Sequence, residues 1–288
     1  TAELETLKKA FAEAQQKLTQ QTDIATALAR EKEILETRWQ SARREVDGAK
    51  ELRVENETLK NRLAELGAAV IAFDVVFAEP DRTSPARVLP LWLSPAEIEA
   101  LSPQLGELPD HDQALADAIA AARVVTGFAL TTEANAGEPA LKAGFAHAGD
   151  APQAYLAGFA GAVVTLPALE AAASGNGHFN MLAEQDGIIR RVPLLLRRGD
   201  VVYPSLVAES LRVAQGASAY LVKSSGGSGE MSFGAHTGIT HVKIGAFIIP
   251  TDAQGRMWLY DTGPVPERSI PAWRLFEEDA DPAMVEGA

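Results

Sequence analysis

Apolar residues recur at alternating steps of three and four through the first 66 positions. Leu4, Leu7, Phe11, Ala14, Leu18, Gln21, Ala25, Leu28, Lys32, Leu35, Trp39, Ala42 and Val46 form one seam, polar only at Gln21 and Lys32. A second phase runs through Ala49, Leu52, Asn56, Leu59, Leu63 and Leu66. The steps of three between Val46, Ala49 and Leu52 mark a stammer at Gly48. This stretch has no proline and a single glycine, and it predicts a coiled-coil helix over residues 1–66. One long helix lying on a domain is the other arrangement compatible with the seam. Asn56 falls on a core position, where a buried amide selects a dimer and sets register at some cost in stability. The seam therefore predicts parallel self-association through Leu28, Leu35, Leu52, Asn56, Leu59, Leu63 and Leu66.

The periodicity changes at Gly67. A short apolar run, Val70–Phe77, reads as a buried parallel strand after a helix that ends at Gly67. Glu79-Pro80-Asp81-Arg82-Thr83-Ser84-Pro85 is a polar loop at that strand's carboxyl end, where open α/β sheets bind their ligands. Pro95–Leu101 predicts a short helix, and Asp112–Ala122 a longer one with Asp112 as N-cap. Arg123–Leu130 is a second buried run. The helical connection between the two runs predicts a crossover joining neighbouring parallel strands. Residues 131–160 show no clear period. Gly177–Asn180 leads toward a short strand, Glu184–Gly187 is a turn, and Ile188–Leu196 the returning strand. Tyr203-Pro204-Ser205 opens a helix over Leu206–Gln215, and Ser224–Gly229 is a Gly/Ser-rich loop. Val242–Ile249, a turn at 251–255 and Met257–Tyr260 complete the pattern. The fold class expected is α/β, a mixed and largely parallel sheet with flanking helices, behind a long coiled-coil helix.

Charge separates the two regions. The chain of 288 residues has 26 Lys and Arg against 39 Asp and Glu, a formal net charge of −13. Basic and acidic residues nearly cancel in residues 1–66, so the negative charge lies beyond them. An acidic α/β region argues against nucleic acid as a partner, because phosphate binding needs a basic surface. Zero cysteines exclude a disulfide framework, thiolate metal sites and a cysteine nucleophile. No stretch approaches the roughly 18–20 apolar residues of a membrane span, and no signal peptide opens the chain. A start at Thr1 reads as a fragment or a mature chain.

No nucleophile elbow, phosphate loop, dinucleotide fingerprint or zinc-protease helix occurs, so this chain is not expected to be an enzyme. Its five histidines are scattered and read as surface or turn residues. His236 and His241 lack a third ligand nearby, so neither a metal nor a cofactor is expected. The carboxylates carry more information. Asp74 ends an apolar run, where a charge needs a partner. Glu79, Asp81 and Arg82 follow it, and Asp186, Arg190 and Arg191 surround one turn. Two arrangements satisfy these charges. One is a polar pocket whose arginines grip an anion; in the other, acids and arginines pair and pin loops. In either, Asp74, Glu79 and Asp81 are expected to join the Asp186–Arg191 turn in one cluster. Strand alternation would let only one of Arg190 and Arg191 reach it.

Nine pieces in order resemble the type-2 CHASE domain, an extracytoplasmic sensor of bacterial adenylate/guanylate cyclases and histidine kinases. They are Gly67–Pro85, the helix with Asp112 and Leu115, Val124–Gly127, Gly177–Asn180, Asp186–Pro193, Tyr203–Leu206, Ile249–Asp252 with Gly255, Tyr260, and Ile270–Ala272. The resemblance covers about residues 60–288. It departs from the family at both ends, where a first and a last strand and membrane spans are usual. It implies a ligand-sensing input domain outside the cytoplasm, held to the membrane only through segments absent from this chain. The output, a cyclase or kinase, would lie elsewhere. Asp74, Glu79, Asp81, Asn180, Asp186, Arg190, Arg191 and Asp252 are the candidate residues for an unknown small-molecule or protein ligand. A coiled-coil scaffold or docking protein without a small-molecule ligand is the alternative.

Overall fold

Val124–Thr131 (β2) is buried along nearly its whole length, and three strands pair with it. The computed structural model describes residues 67–100 apart from 97, 110–227 and 238–277, together with 29, 30, 32, 33, 37, 40, 281, 283 and 285. Ile71–Ala72 (β1) lies parallel to β2 in the register Ile71 to Val124. The two apolar runs are thus neighbouring parallel strands, as their crossover predicts. Gly175–His178 (β6) is parallel to β2 on its other side, and Gly161–Val163 (β5) pairs antiparallel with its far end.

Alternation along β2 sends successive side chains to opposite layers. Val124 packs with Ile119 of the helix His111–Ala120 (α2) and Leu169 of the helix Pro167–Ala172 (α3). Val125 packs with Leu206 and Val213 of the helix Leu206–Ala214 (α4). Ala208 and Leu211 of α4 face a second core, with Tyr220, Val222, Val242 and Ile244. These come from a sheet of Phe247–Pro250 (β12), Ile239–Ile244 (β11), Ala219–Ser224 (β10) and Gly144–Ala148 (β3), in that order. Helix α4 therefore lies between two sheets, capped by the Ser205 hydroxyl, which accepts from the Ala208 N–H. Smaller pairings complete the unit. Arg191–Pro193 (β7) runs antiparallel to Arg256–Trp258 (β13), and Leu195–Arg198 (β8) pairs with Gly158–Phe159 (β4) and Val201–Pro204 (β9).

Several elements differ from the sequence expectation. Regular β1 stops at Ala72 and does not reach Phe77. The N-cap of α2 is Asp110, not Asp112. Its carboxylate accepts from the Asp112 and Gln113 N–H groups, while Asp112 is engaged elsewhere. Residues 131–160 contain β3, β4 and part of the link to β5, short segments without apolar–polar alternation. Gly177 and His178 are the end of a strand, not its approach. The run 188–196 divides at buried Leu194 into β7 and β8, which pair with different partners. Val242–Ile249 is a hairpin, turned at Gly245 with φ 56°. Helical residues 95, 96 and 98–100 match the short helix expected there.

Contacts divide the chain at Glu55 into two units. In the first, residues 29, 30, 32, 33, 37 and 40 are helical and exposed. Leu28, Leu35, Leu52, Asn56, Leu59, Leu63 and Leu66, expected to make the dimer seam, lie outside the described residues. No helix among the described residues is long and apolar enough to cross a membrane.

The glycines of β6 explain how closely α4 approaches. A Cβ on Gly177 would stand 2.7 Å from the Leu206 N and Cα and the Ser205 carbonyl oxygen, all backbone. Gly177→Ala is expected to destabilise the fold by about 1–3 kcal/mol, because the obstructing atoms cannot rotate away. Urea denaturation measures this. Gly187→Ala, where a Cβ meets nothing but φ is 80°, reports backbone strain alone.

Candidate functional site

The loop after β1 returns to the start of α2, and five polar residues meet there. The Asp81 N–H donates to both carboxylate oxygens of Asp112, at 3.1 Å each. The Asp81 carboxylate accepts from the Thr83 N–H at 3.0 Å, the Thr83 hydroxyl at 2.9 Å and the Ser84 hydroxyl at 3.3 Å. It also accepts from His111 Nδ1 at 2.5 Å. The His111 N–H donates to the Ser84 hydroxyl at 3.2 Å. Ser84 is 3% exposed and His111 8%. Burial pushes the Asp81 carboxyl up, but hydrogen bonds from Thr83 and His111 outweigh it and hold the group below the usual range.

In the neutral ring, a carboxylate at Nδ1 places the proton on that nitrogen and leaves Nε2 as the acceptor. The other nitrogen, Nε2, is buried and has no hydrogen-bond partner among the described residues. The Thr83 and Ser84 hydroxyls stand on the Nδ1 and backbone side of the ring. Neither is placed for Nε2 to activate, so the group is not a nucleophile–base pair. It is a rigid frame that holds an imidazole with one nitrogen uncommitted. It lies beyond the carboxyl end of β1, the side on which parallel sheets place ligands.

Around the turn at 184–187 the charges satisfy one another. Arg190 donates to Asp186 through Nη1 and Nη2, at 3.1 and 2.8 Å, and to Glu184 at 3.2 Å. Arg191 donates to Glu184 at 2.9 Å and to Asp252 at 2.9 Å. Asp252 also accepts from Arg256 Nε at 2.8 Å, and Arg191 lies 5.1 Å above the Trp258 ring. Hydrogen bonds from Arg191 hold the Glu184 carboxyl below its usual range, and those from Arg190 do the same for Asp186. Residues 188–190 are not in a regular strand, so Arg190 and Arg191 both reach acids, against the alternation expected. Gly187, with φ 80°, closes the turn.

The single cluster expected from sequence is therefore two. No hydrogen bond or ion pair among the described residues joins Asp74, Glu79 or Asp81 to the Glu184–Arg191 group. Asp74 is exposed and makes neither kind of contact, because it follows Phe73, whose N–H makes the last bond of this segment to β2, to the Val125 carbonyl at 3.0 Å. Glu79 pairs with Arg82 at 2.5 Å in an exposed surface bridge, a kind that contributes little. Asn180 stands apart: its amide donates to the Leu130 carbonyl at 2.7 Å and accepts from the Leu130 N–H at 2.8 Å. It completes the end of β2 as a missing strand would. Asn180→Ala is expected to cost about 1–3 kcal/mol in urea denaturation, since both Leu130 backbone groups lose their partner.

Sequence reasoning missed Thr83, Ser84, His111 and Asp112. A usable signal exists in Asp81-x-Thr83-Ser84, an acid followed two and three residues on by hydroxyls, the pattern of a side-chain-closed turn. Sequence alone groups His111 and His178 with surface or turn histidines, whereas both are buried.

The CHASE2 domain family matches residues 52–288. No curated protein and no solved structure matches the chain. The family match spans β1 to the last described residues and contains both charged groups, and most of the chain falls within it. The chain belongs to the CHASE2 domain family, sensory domains found in signalling receptors.

Proposed function

We propose that this chain is the extracytoplasmic ligand-sensing part of a bacterial transmembrane receptor of the adenylate/guanylate cyclase or histidine kinase type. Its ligand binds at the Asp81–His111 group. The chain itself carries out no reaction, and residues 1–66 pair two copies in parallel. One observation supports the placement of the site. His111 Nε2 is a buried polar atom with no partner, whereas each arginine at the 184–191 turn is matched to acids of the protein. A buried unmatched acceptor costs free energy in the folded chain, and a ligand that fills it recovers that cost.

Thermal unfolding against a small-molecule library tests this. A ligand that binds only the folded chain stabilises it by about 2.7 kcal/mol at one hundred times its Kd. Compounds that raise the melting temperature of the wild type should lose their effect on His111→Phe and keep it on Arg191→Ala. The reverse would move the site to the turn. A library with no active compound would favour a scaffold. Light scattering tests the pairing: the intact chain should be a dimer at micromolar concentration, and a chain beginning at Asn61 a monomer.

A further inference from the structure

We propose that the ligand presents a protonated amine to His111 Nε2. This deepens the ligand-sensing reading and rests on it. The donors that build the group are engaged within it: the Asp81 and Thr83 N–H groups, both hydroxyls, His111 N–H and Nδ1, and the Asp112 and Gln113 N–H groups at the Asp110 cap. An anion or a carbonyl would find no free donor among them. What remains is one acceptor, Nε2, on a ring whose proton is fixed at Nδ1 by Asp81.

Charge points the same way. Asp81 touches the ring, and Asp110 and Asp112 flank it in the chain. Arg82, the cation nearest in sequence to Asp81, is engaged by Glu79 at the surface. The field at the group is negative and favours a cation. A bare metal ion suits it poorly, since no set of three or more ligating side chains occurs among the described residues. An alkylammonium satisfies both requirements, because it brings positive charge and N–H donors together. A site with a buried acceptor also rejects a cation that cannot donate, because that cation leaves the acceptor unmatched.

The test uses the intact chain labelled with ¹⁵N-histidine, titrated with methylammonium, tetramethylammonium, glycerol and inorganic phosphate. The His111 resonances are assigned by their loss in His111→Phe. Methylammonium should shift the Nε2 signal of His111 with saturation and leave Nδ1 nearly unmoved. It should bind at least about tenfold more tightly than tetramethylammonium, a difference of about 1.4 kcal/mol. Equal response to both cations would overturn the donor requirement. A saturable response to glycerol or phosphate, with none to methylammonium, would overturn the amine and leave the sensing site standing. No response at His111 to any probe would overturn the amine; the sensing reading would also fall if the library compounds act equally on His111→Phe. Asp81→Asn supplies a second variant should His111→Phe fail to fold. It should move the ring proton and weaken methylammonium binding.

Discussion

Glu209→Leu is expected to destabilise the folded chain by about 3–5 kcal/mol, because it strands a charge inside the protein. Glu209 is fully buried on α4 and Arg212, one turn on, is 6% exposed. Arg212 Nη2 and Nε donate to the two carboxylate oxygens at 2.6 and 2.9 Å, and the Tyr220 hydroxyl donates to the same carboxylate at 2.6 Å. Hydrogen bonding from Glu209 raises the Arg212 pKa above its ordinary value. Burial, then the Glu209 charge, pushes the Tyr220 phenol up. The arrangement spans the two sheets, since Tyr220 belongs to β10 while the Asn176 N–H of β6 reaches Glu209 at 3.3 Å. Deleting the acid leaves Arg212 unneutralised and Tyr220 without an acceptor. Replacing both members of the ion pair, Glu209→Leu with Arg212→Met, should recover most of the loss, because no buried charge then remains. Urea denaturation of the wild type, both single variants and the double variant decides it. A cost below about 1 kcal/mol for the single change would show that water reaches Arg212.

The second large effect is a pH dependence carried by His178. Its ring is completely buried beside Phe128, and neither nitrogen has a partner among the described residues. Burial lowers its pKa to about 3, against about 6.5 in an unfolded chain. A group depressed in this way contributes stability that is present above its unfolded pKa and lost as pH falls toward the folded one. The unfolded chain takes up a proton that the folded chain refuses. Between about pH 6 and pH 4 the wild type should lose about 1.4 kcal/mol per pH unit more than His178→Phe. At neutral pH that variant should be close to the wild type in stability, since it removes two unmatched polar atoms. Asp81, Glu184 and Asp186 are held below their usual values, so their stabilisation is lost only below about pH 4. Urea midpoints measured at steps of pH separate the two windows. Parallel slopes for wild type and variant would mean that His178 titrates as an open histidine.

These two residues also show where sequence reading runs out. The pairing of Val70–Phe77 with Val124–Leu130 could be read because both runs are apolar and β-branched, and the connection is long enough for a crossover. Ser205 and the helix after it could be read from the cap. Strand β6, Gly175-Asn176-Gly177-His178, could not. It is a strand because it pairs in parallel with β2, and its glycines let α4 come against its backbone, neither of which shows as an apolar pattern. Strand β3 is hidden for a different reason: Gly144-Phe145-Ala146-His147-Ala148 alternates in size but not between apolar and polar, and it is held by pairing with β10. The Asp81 group was half visible. Its loop showed as polar and at a strand end, but His111 lies 30 residues away and meets Asp81 only because α2 starts beside that loop. The pairing of Arg190 with Asp186 is legible within one turn, but the partner of Arg191 is not, since sequence order says nothing about β13 bringing Asp252 and Arg256 to the turn.

Hydrogen exchange on the intact chain, with and without the most stabilising compound of the library, tests the sensing site most directly. Exchange should slow at residues 81–84 and 111–116, the backbone of the His111 frame, while 186–193 and 252–258 stay unchanged. Slowing confined to the 186–193 and 252–258 segments would contradict the assignment and return the ligand to the arginine turn.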